Sequence, residues 1–170
     1  SGFYIKRRVY FMGKWIKYGG YYPTWLLRLW RKGRGKYEAR EMDEHVILSG
    51  EARYAKHDII EEDKKNLDYW IEKHNRYARR EAETICRKGG ETLPPSLGGT
   101  QAQRKRWMKE NIYNHLPLFV RPFMYFCYRY VIRGGFLDGK EGMVFHILQG
   151  FWYRFLVDVR VFEIQRRKRK

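Results

Sequence analysis

The sequence predicts an α+β fold: short β-strands in the first third, then a mostly helical C-terminal half with amphipathic and interfacial helices. Three observations carry this reading. Up to about His57 the chain consists of short β-like runs, FYIKRRVYF, WLLRLWRK, HVILSG and ARYAKH, separated by Gly-Gly, Gly-Arg-Gly and Ser-Gly turn signals. From Lys64 to Lys88 apolar and aromatic residues recur at Leu67, Trp70, Ile71, His74, Tyr77, Ala78, Ala82 and Ile85, a helical period with Lys, Arg and Glu opposite. After Pro122 two stretches are apolar on nearly every side.

The elements follow in order. Asp63 or Asn66 caps the first helix and Gly89-Gly90 stops it. The triplet Glu61-Glu62-Asp63 reads as a solvated helix start, because acids favour the positive end of a helix. GGETLPPSLGGTQ, with its Gly and Pro pairs, is a loop or flap between helices. A second helix covers about Ala102 to His115. A third starts near Pro122, which suits a first helical position, and ends at Gly134-Gly135. The last spans roughly Gly142 to Gln165. These signals divide the chain into a β-rich portion, residues 1–62, and a helical, membrane-proximal region, residues 63–170.

Composition narrows the partners. The 170 residues carry a formal net charge of +17, and Phe, Trp and Tyr make up 18% of them. So many rings need a packed interior or a large amphipathic surface. Excess Lys and Arg favour nucleic acid, an anionic membrane surface or a phosphate-bearing substrate. Cys86 and Cys127 are far apart and spell neither a disulfide framework nor a zinc pattern, so both are expected to be structural thiols in a reducing setting. No secretory n-region or cleavage site is readable in SGFYIKRRVYFMG. The longest apolar runs are broken by Arg121, Arg129, Arg154 and Asp158, short of the roughly 20 residues a span requires. Lying on a membrane is compatible with such runs; helices apolar all round need cover from each other, another subunit, a missing domain or lipid. The closing RRKRK, Arg166 to Lys170, reads either as attachment to an anionic leaflet or as a solvated tail.

One stretch poses a question of chemistry. In GKYEAREMDEHVILSG, Gly35 to Gly50, the acids Glu41, Asp43 and Glu44 crowd ahead of the apolar run Val46, Ile47, Leu48 in an otherwise basic chain. Such acids are an exposed rim or a base awaiting a substrate.

The text RRVYFMGKWIKYGGYYPTWLLRLWRKGRGKYE, then MDEHVILSG, then KHDIIEEDKKNLDYWIEKHNRYARREA, resembles the acceptor-side half of bacterial family-2 glycosyltransferases of the GT-A type. More narrowly, it is similar to those of colanic-acid and other exopolysaccharide or cell-envelope assembly. QAQRKRWMKENIYNHLPLFVRPFMYFCYRYVIRGGFLDGKEG and GFWYRFLVDVRVFEI resemble that family's C-terminal segment, so the likeness spans nearly the whole chain. The family carries a preceding nucleotide-sugar-binding half with an Asp-x-Asp metal motif. No Asp-x-Asp occurs in this sequence, which implies a portion of a larger transferase.

What the resemblance implies is specific. The reaction is inverting transfer from a nucleotide-sugar to a lipid-linked or polysaccharide acceptor at the cytoplasmic face of the inner membrane, the protein being peripheral and a divalent Mg or Mn serving the complete enzyme. Such transfer needs a carboxylate to take the acceptor hydroxyl's proton. The MDEH match points to Asp43 or Glu44, with Glu44 favoured. His57 then completes a metal or diphosphate site, or is structural. Arg28 clamps diphosphate or lays its stem along Trp25 and Trp30. Trp15, Tyr21 and Trp25 stack on a sugar or pack in the core. Gln103, Arg106 and Trp107 spell Q-x-x-R-W, which in processive members lies at the acceptor channel; on an amphipathic helix Trp107 is equally a core residue.

Two other classes fit parts of the text. A basic, aromatic domain can bind single-stranded nucleic acid by stacking, yet no nucleic-acid motif is present and that reading gives the apolar helices no use, so no nucleic-acid partner is expected. A non-catalytic membrane-surface adaptor derived from a transferase accounts for the missing Asp-x-Asp.

Overall fold

Strand β1 (Gly2–Phe11) is the centre of the β-rich portion. In the computed structural model, which describes residues 1–38, 45–86 and 95–169, it is paired along both edges. On one edge its end, Val9–Phe11, pairs antiparallel with β2 (Lys14–Ile16), and its start pairs antiparallel with β3 (Trp25–Trp30). On the other edge β6 (Ala52–Glu62) runs parallel to it. Met12 and Gly13 form the β1–β2 turn with φ of 49° and 78°. Two positive φ values in a two-residue loop match the twist of the flanking strands. The parallel pairing needs a long crossover, and this crossover contains β2, β3 and a separate hairpin of β4 (Gly35–Tyr37) and β5 (Val46–Leu48).

Strand β6 outruns the short run expected for it. Glu61 and Glu62 pair with Val9 and Tyr10 and end a strand; they do not start a helix. The ladder of β1 supplies backbone partners to that point, and tertiary pairing overrides the local preference of acids for a helix terminus.

Helix α1 (Leu67–Cys86) begins at Asn66, whose Oδ1 accepts from the Tyr69 N–H at 3.1 Å. The expected Gly89-Gly90 stop lies outside the described residues. Helix α2 (Gln101–Asn111) opens with a reciprocal capping box between Thr100 and Gln103. Helix α3 (Val120–Cys127) starts two residues before Pro122 and widens into a π-helical turn, Tyr128–Ile132. The final run starts at Gly139 instead of Gly142: α4 (Gly139–Phe145), a π-helical stretch His146–Trp152, and α5 (Tyr153–Lys168).

Two cores join these elements. Trp70, on α1, packs with Phe11, Ile16 and Phe145, fixing helix to sheet. Further along, Ala78 and Ala82 meet Tyr153, Val157 and Val161 of α5; small residues there let the two helix backbones approach closely. Both cysteines are free and half-buried, and burial raises the Cys86 thiol above its ordinary pKa.

Several large apolar side chains of the last two helical runs stay exposed, among them Phe123, Ile147 and Phe162. Rings run in an unbroken series of close contacts from Phe162 to Phe119, Phe155, Phe151, Phe126, Tyr130 and Phe136, with neighbouring centroids 5.3 to 6.3 Å apart. Beside this series Phe123 is 58% exposed, Ile132 75% and Leu137 57%. No helix of the described residues is long and apolar enough to cross a membrane.

Candidate functional site

His45, the last residue of the M-D-E-H stretch, and Arg106 of the Q-x-x-R-W helix, about sixty positions apart, bond to one carboxylate, that of Glu38. Arg106 Nη1 and Nη2 donate to Glu38 Oε2 and Oε1 at 2.8 and 2.6 Å, and both side chains are buried. The same Oε1 accepts from the His45 backbone N–H at 2.9 Å, and the Glu38 N–H donates to the His45 carbonyl. Residues 38 and 45 are therefore clasped together at the mouth of the β4–β5 hairpin and bolted to α2. Asp43 and Glu44, the candidate bases, lie outside the described residues; their flanks are what the clasp fixes.

A cavity of about 350 Å³ opens beside this joint. Val46, Ile47 and Leu48 of β5 line one wall, Thr100 and Gln103 of α2 another, and Tyr4 of β1 a third. Its size falls within the range of small-ligand sites. Gln103 is largely committed to the capping box, its Oε1 accepting from the Thr100 N–H at 2.9 Å. Trp107, one residue after the buried Arg106, is half-buried.

The other sequence-selected residues do not converge on that cavity. Trp15 and Trp25 lie over cations on the sheet face that surrounds Asp58: the Arg8 guanidinium is 4.7 Å from the Trp15 ring and Lys6 Nζ is 5.5 Å from the Trp25 ring. Asp58 in turn accepts from Arg8 at 2.7 Å and from the Tyr22 hydroxyl at 3.0 Å. Trp15 Nε1 is buried without a partner. Tyr21 sits apart, its ring against Phe145 and beneath the Arg129 guanidinium at 3.8 Å. Burial, against the opposing pull of Arg129, pushes the Tyr21 phenol up to about 12. Arg28 is exposed on β3, and its side chain has no hydrogen bond or ion pair among the described residues.

His57 is exposed in the middle of β6. No group of three His, Cys, Asp or Glu side chains suited to a metal occurs among the described residues. Its imidazole alone makes no divalent-metal site.

A larger cleft, about 720 Å³, lies between the ends of β1 and β6 and the start of α1, with Tyr21, Phe145 and Gln149 at its base. Arg7, Asp63, Lys73 and His74 also line it. The Trp70 and His74 rings stack with centroids 3.6 Å apart, and burial lowers the His74 pKa. None of this was legible as a site: the helical period marks Trp70 and His74 as core, and strand pairing brings Arg7 to them.

No family model, curated protein or solved structure matches the chain.

Proposed function

We propose that this chain is the acceptor-side, membrane-surface portion of an inverting nucleotide-sugar glycosyltransferase that extends a lipid-linked or envelope saccharide. The observation that carries the proposal is the Glu38 joint. His45, the last letter of M-D-E-H, and Arg106 of Q-x-x-R-W bond to the same buried carboxylate, and strand β5, which follows the first motif, lines a cavity together with Gln103 of the second.

In this reading Glu44, or Asp43 beside it, accepts the proton of the acceptor hydroxyl as its oxygen attacks the anomeric carbon. The bond to the nucleoside diphosphate breaks on the opposite face, which inverts the configuration. The donor is held by a nucleotide-binding half outside these residues, with its own metal. Arg106 is a positioning residue, since both its guanidinium branches are spent on Glu38. The exposed aromatic series holds the site at an anionic membrane surface, within reach of a lipid-borne acceptor.

The test is sugar transfer to endogenous lipid acceptors by membranes carrying the complete protein with Glu44→Gln, with Asp43→Asn, or with neither. Loss of transfer in one carboxylate variant, at unchanged protein level, is the expected result. Full transfer by both variants removes the base from this segment; transfer no higher than that of membranes lacking the protein leaves the non-catalytic adaptor.

A further inference from the structure

The turn Gly19–Thr24 is ringed by cations, three of which, Lys105, Arg129 and Arg133, no carboxylate of the described residues neutralises. Arg129 Nε donates to the Gly19 carbonyl at 2.6 Å, and its guanidinium covers Tyr21. The Arg133 guanidinium lies beside Gly20, 3.5 Å from where a Cβ would stand, and its carbonyl accepts from the Gly19 N–H. Lys105 Nζ reaches Thr24 Oγ1 at 3.4 Å, and that hydroxyl is itself tied to the Tyr21 carbonyl at 2.7 Å. Arg7 comes from β1 on the same side; its Nη1 holds Glu61, while its Nε is buried with no acceptor.

The neighbouring acids are occupied elsewhere. Glu81 takes Lys109 and Arg154, Asp58 takes Lys6 and Arg8, and Asp138 accepts the backbone N–H groups of Lys17 and Tyr18. Among the described residues no carboxylate pairs with Lys105, Arg129 or Arg133. The electrostatic cost is visible at Lys105: although the residue is exposed, its ammonium sits among crowded atoms and close to Arg129, Arg7 and Arg133, and its pKa falls to about 8.

We infer that Lys105, Arg129 and Arg133 form, around the turn Gly19–Thr24, a binding site for a phosphate or diphosphate group. Guanidinium forks and an ammonium are the donors that bind such oxyanions most strongly, and a doubly charged guest relieves the mutual repulsion of its hosts. Val131 and Ile132, exposed immediately before Arg133, put the rim of this site on the apolar face. A phosphate on a lipid therefore reaches it with its chain still against apolar side chains, and so does a free diphosphate. Lys105 adjoins Arg106 along α2, and the existence of the site does not require sugar transfer.

Binding of inorganic pyrophosphate to the full chain, followed by titration calorimetry at fixed salt, tests the site. Lys105→Gln with Arg133→Gln, both exposed positions, is expected to weaken binding at least tenfold, while Arg79→Gln on the exposed face of α1 leaves it unchanged. Arg129→Gln is a further variant, to be read only where circular dichroism shows the native fold. Flotation with phosphatidylcholine vesicles bearing phosphatidic acid, against phosphatidylserine at matched charge, identifies the source. Preference for phosphatidic acid that the double variant loses assigns the site to a lipid phosphate; sensitivity confined to pyrophosphate assigns it to a soluble one. Equal pyrophosphate affinity for wild type and double variant, or an equal loss with Arg79→Gln, overturns the proposal.

Discussion

Arg106 and Glu38 form a two-pronged ion pair, both side chains buried, between helix α2 and the end of strand β4. Removing either partner leaves the other charge stranded away from water. For Arg106→Met a loss of about 3 kcal/mol is expected, the scale of a broken buried pair. Urea unfolding midpoints measure it. The Glu38→Gln/Arg106→Met double variant should recover part of the loss, because no unpaired charge then remains. A single Arg106→Met variant as stable as wild type would show that the pair does not hold the hairpin to the helix.

His146 makes stability depend on pH. Its ring is fully buried against Gly19, Gly135, Tyr21 and Tyr130, and neither ring nitrogen has a hydrogen bond. Asp138 Oδ2 is 4.0 Å from Nε2, too far to bond, and is held by the Tyr18 N–H. Burial, and secondarily Arg129, lowers the imidazole pKa from 6.5 to about 4. Between those values the unfolded chain carries a proton that the folded chain refuses, so stability falls as pH drops from 6.5 towards 4. The full effect is about 3 kcal/mol at most. Thermal melts across that range should show a steeper decline for wild type than for His146→Leu; parallel curves would assign the acid sensitivity to other groups.

These two residues also show what the sequence discloses. The period through Trp70, His74, Ala78 and Ala82 is a property of neighbours along the chain, so α1 and its buried face were readable. Strand runs and turn glycines placed β1, β3, β5 and β6 for the same reason. Arg106 was legible only as a letter of a motif, because its partner Glu38 is chosen by how a hairpin packs on a helix. His146 carried no signal at all: it sits in an apolar run, and only the Gly19 turn arriving from the β-rich portion makes its pocket tight. Trp15 and Trp25, read as sugar platforms or core residues, lie against Arg8 and Lys6, contacts that only strand pairing creates and the sequence does not show.

Asp158 anchors the apolar face from within. Its Oδ1 accepts from Arg121 Nε at 2.8 Å and from Nη2, and its Oδ2 accepts from the Phe119 N–H at 2.9 Å. That last bond steadies Phe119 at a φ of 69°, a conformation a bulky residue avoids. Asp158→Asn strands a buried guanidinium and is expected to cost about 3 kcal/mol. Denaturant unfolding reads the loss. A variant within 0.5 kcal/mol, roughly the scatter of surface substitutions, would mean that α3 is held to α5 by apolar packing alone.

The exposed aromatic series predicts two separable components of membrane binding. Phe123, Ile132 and Leu137 lie at its edge, more than half exposed, so replacing all three with Gln should leave folding intact. Burying each in a bilayer interface is worth on the order of 1 kcal/mol, less than the value for complete burial. The triple variant should therefore partition into anionic vesicles roughly a hundredfold more weakly. The basic end of α5, Arg166, Arg167 and Lys168, adds an electrostatic component of about 1 kcal/mol per residue near an anionic surface. Salt weakens that component and leaves the apolar one. Vesicle flotation at low and high salt should then show neutralisation of the α5 end abolishing most of the salt dependence, and the triple variant lowering binding at both salt concentrations. Unchanged flotation of the triple variant, accompanied by a concentration-dependent dimer of wild type that the variant fails to form, would assign the apolar face to a second copy of the chain.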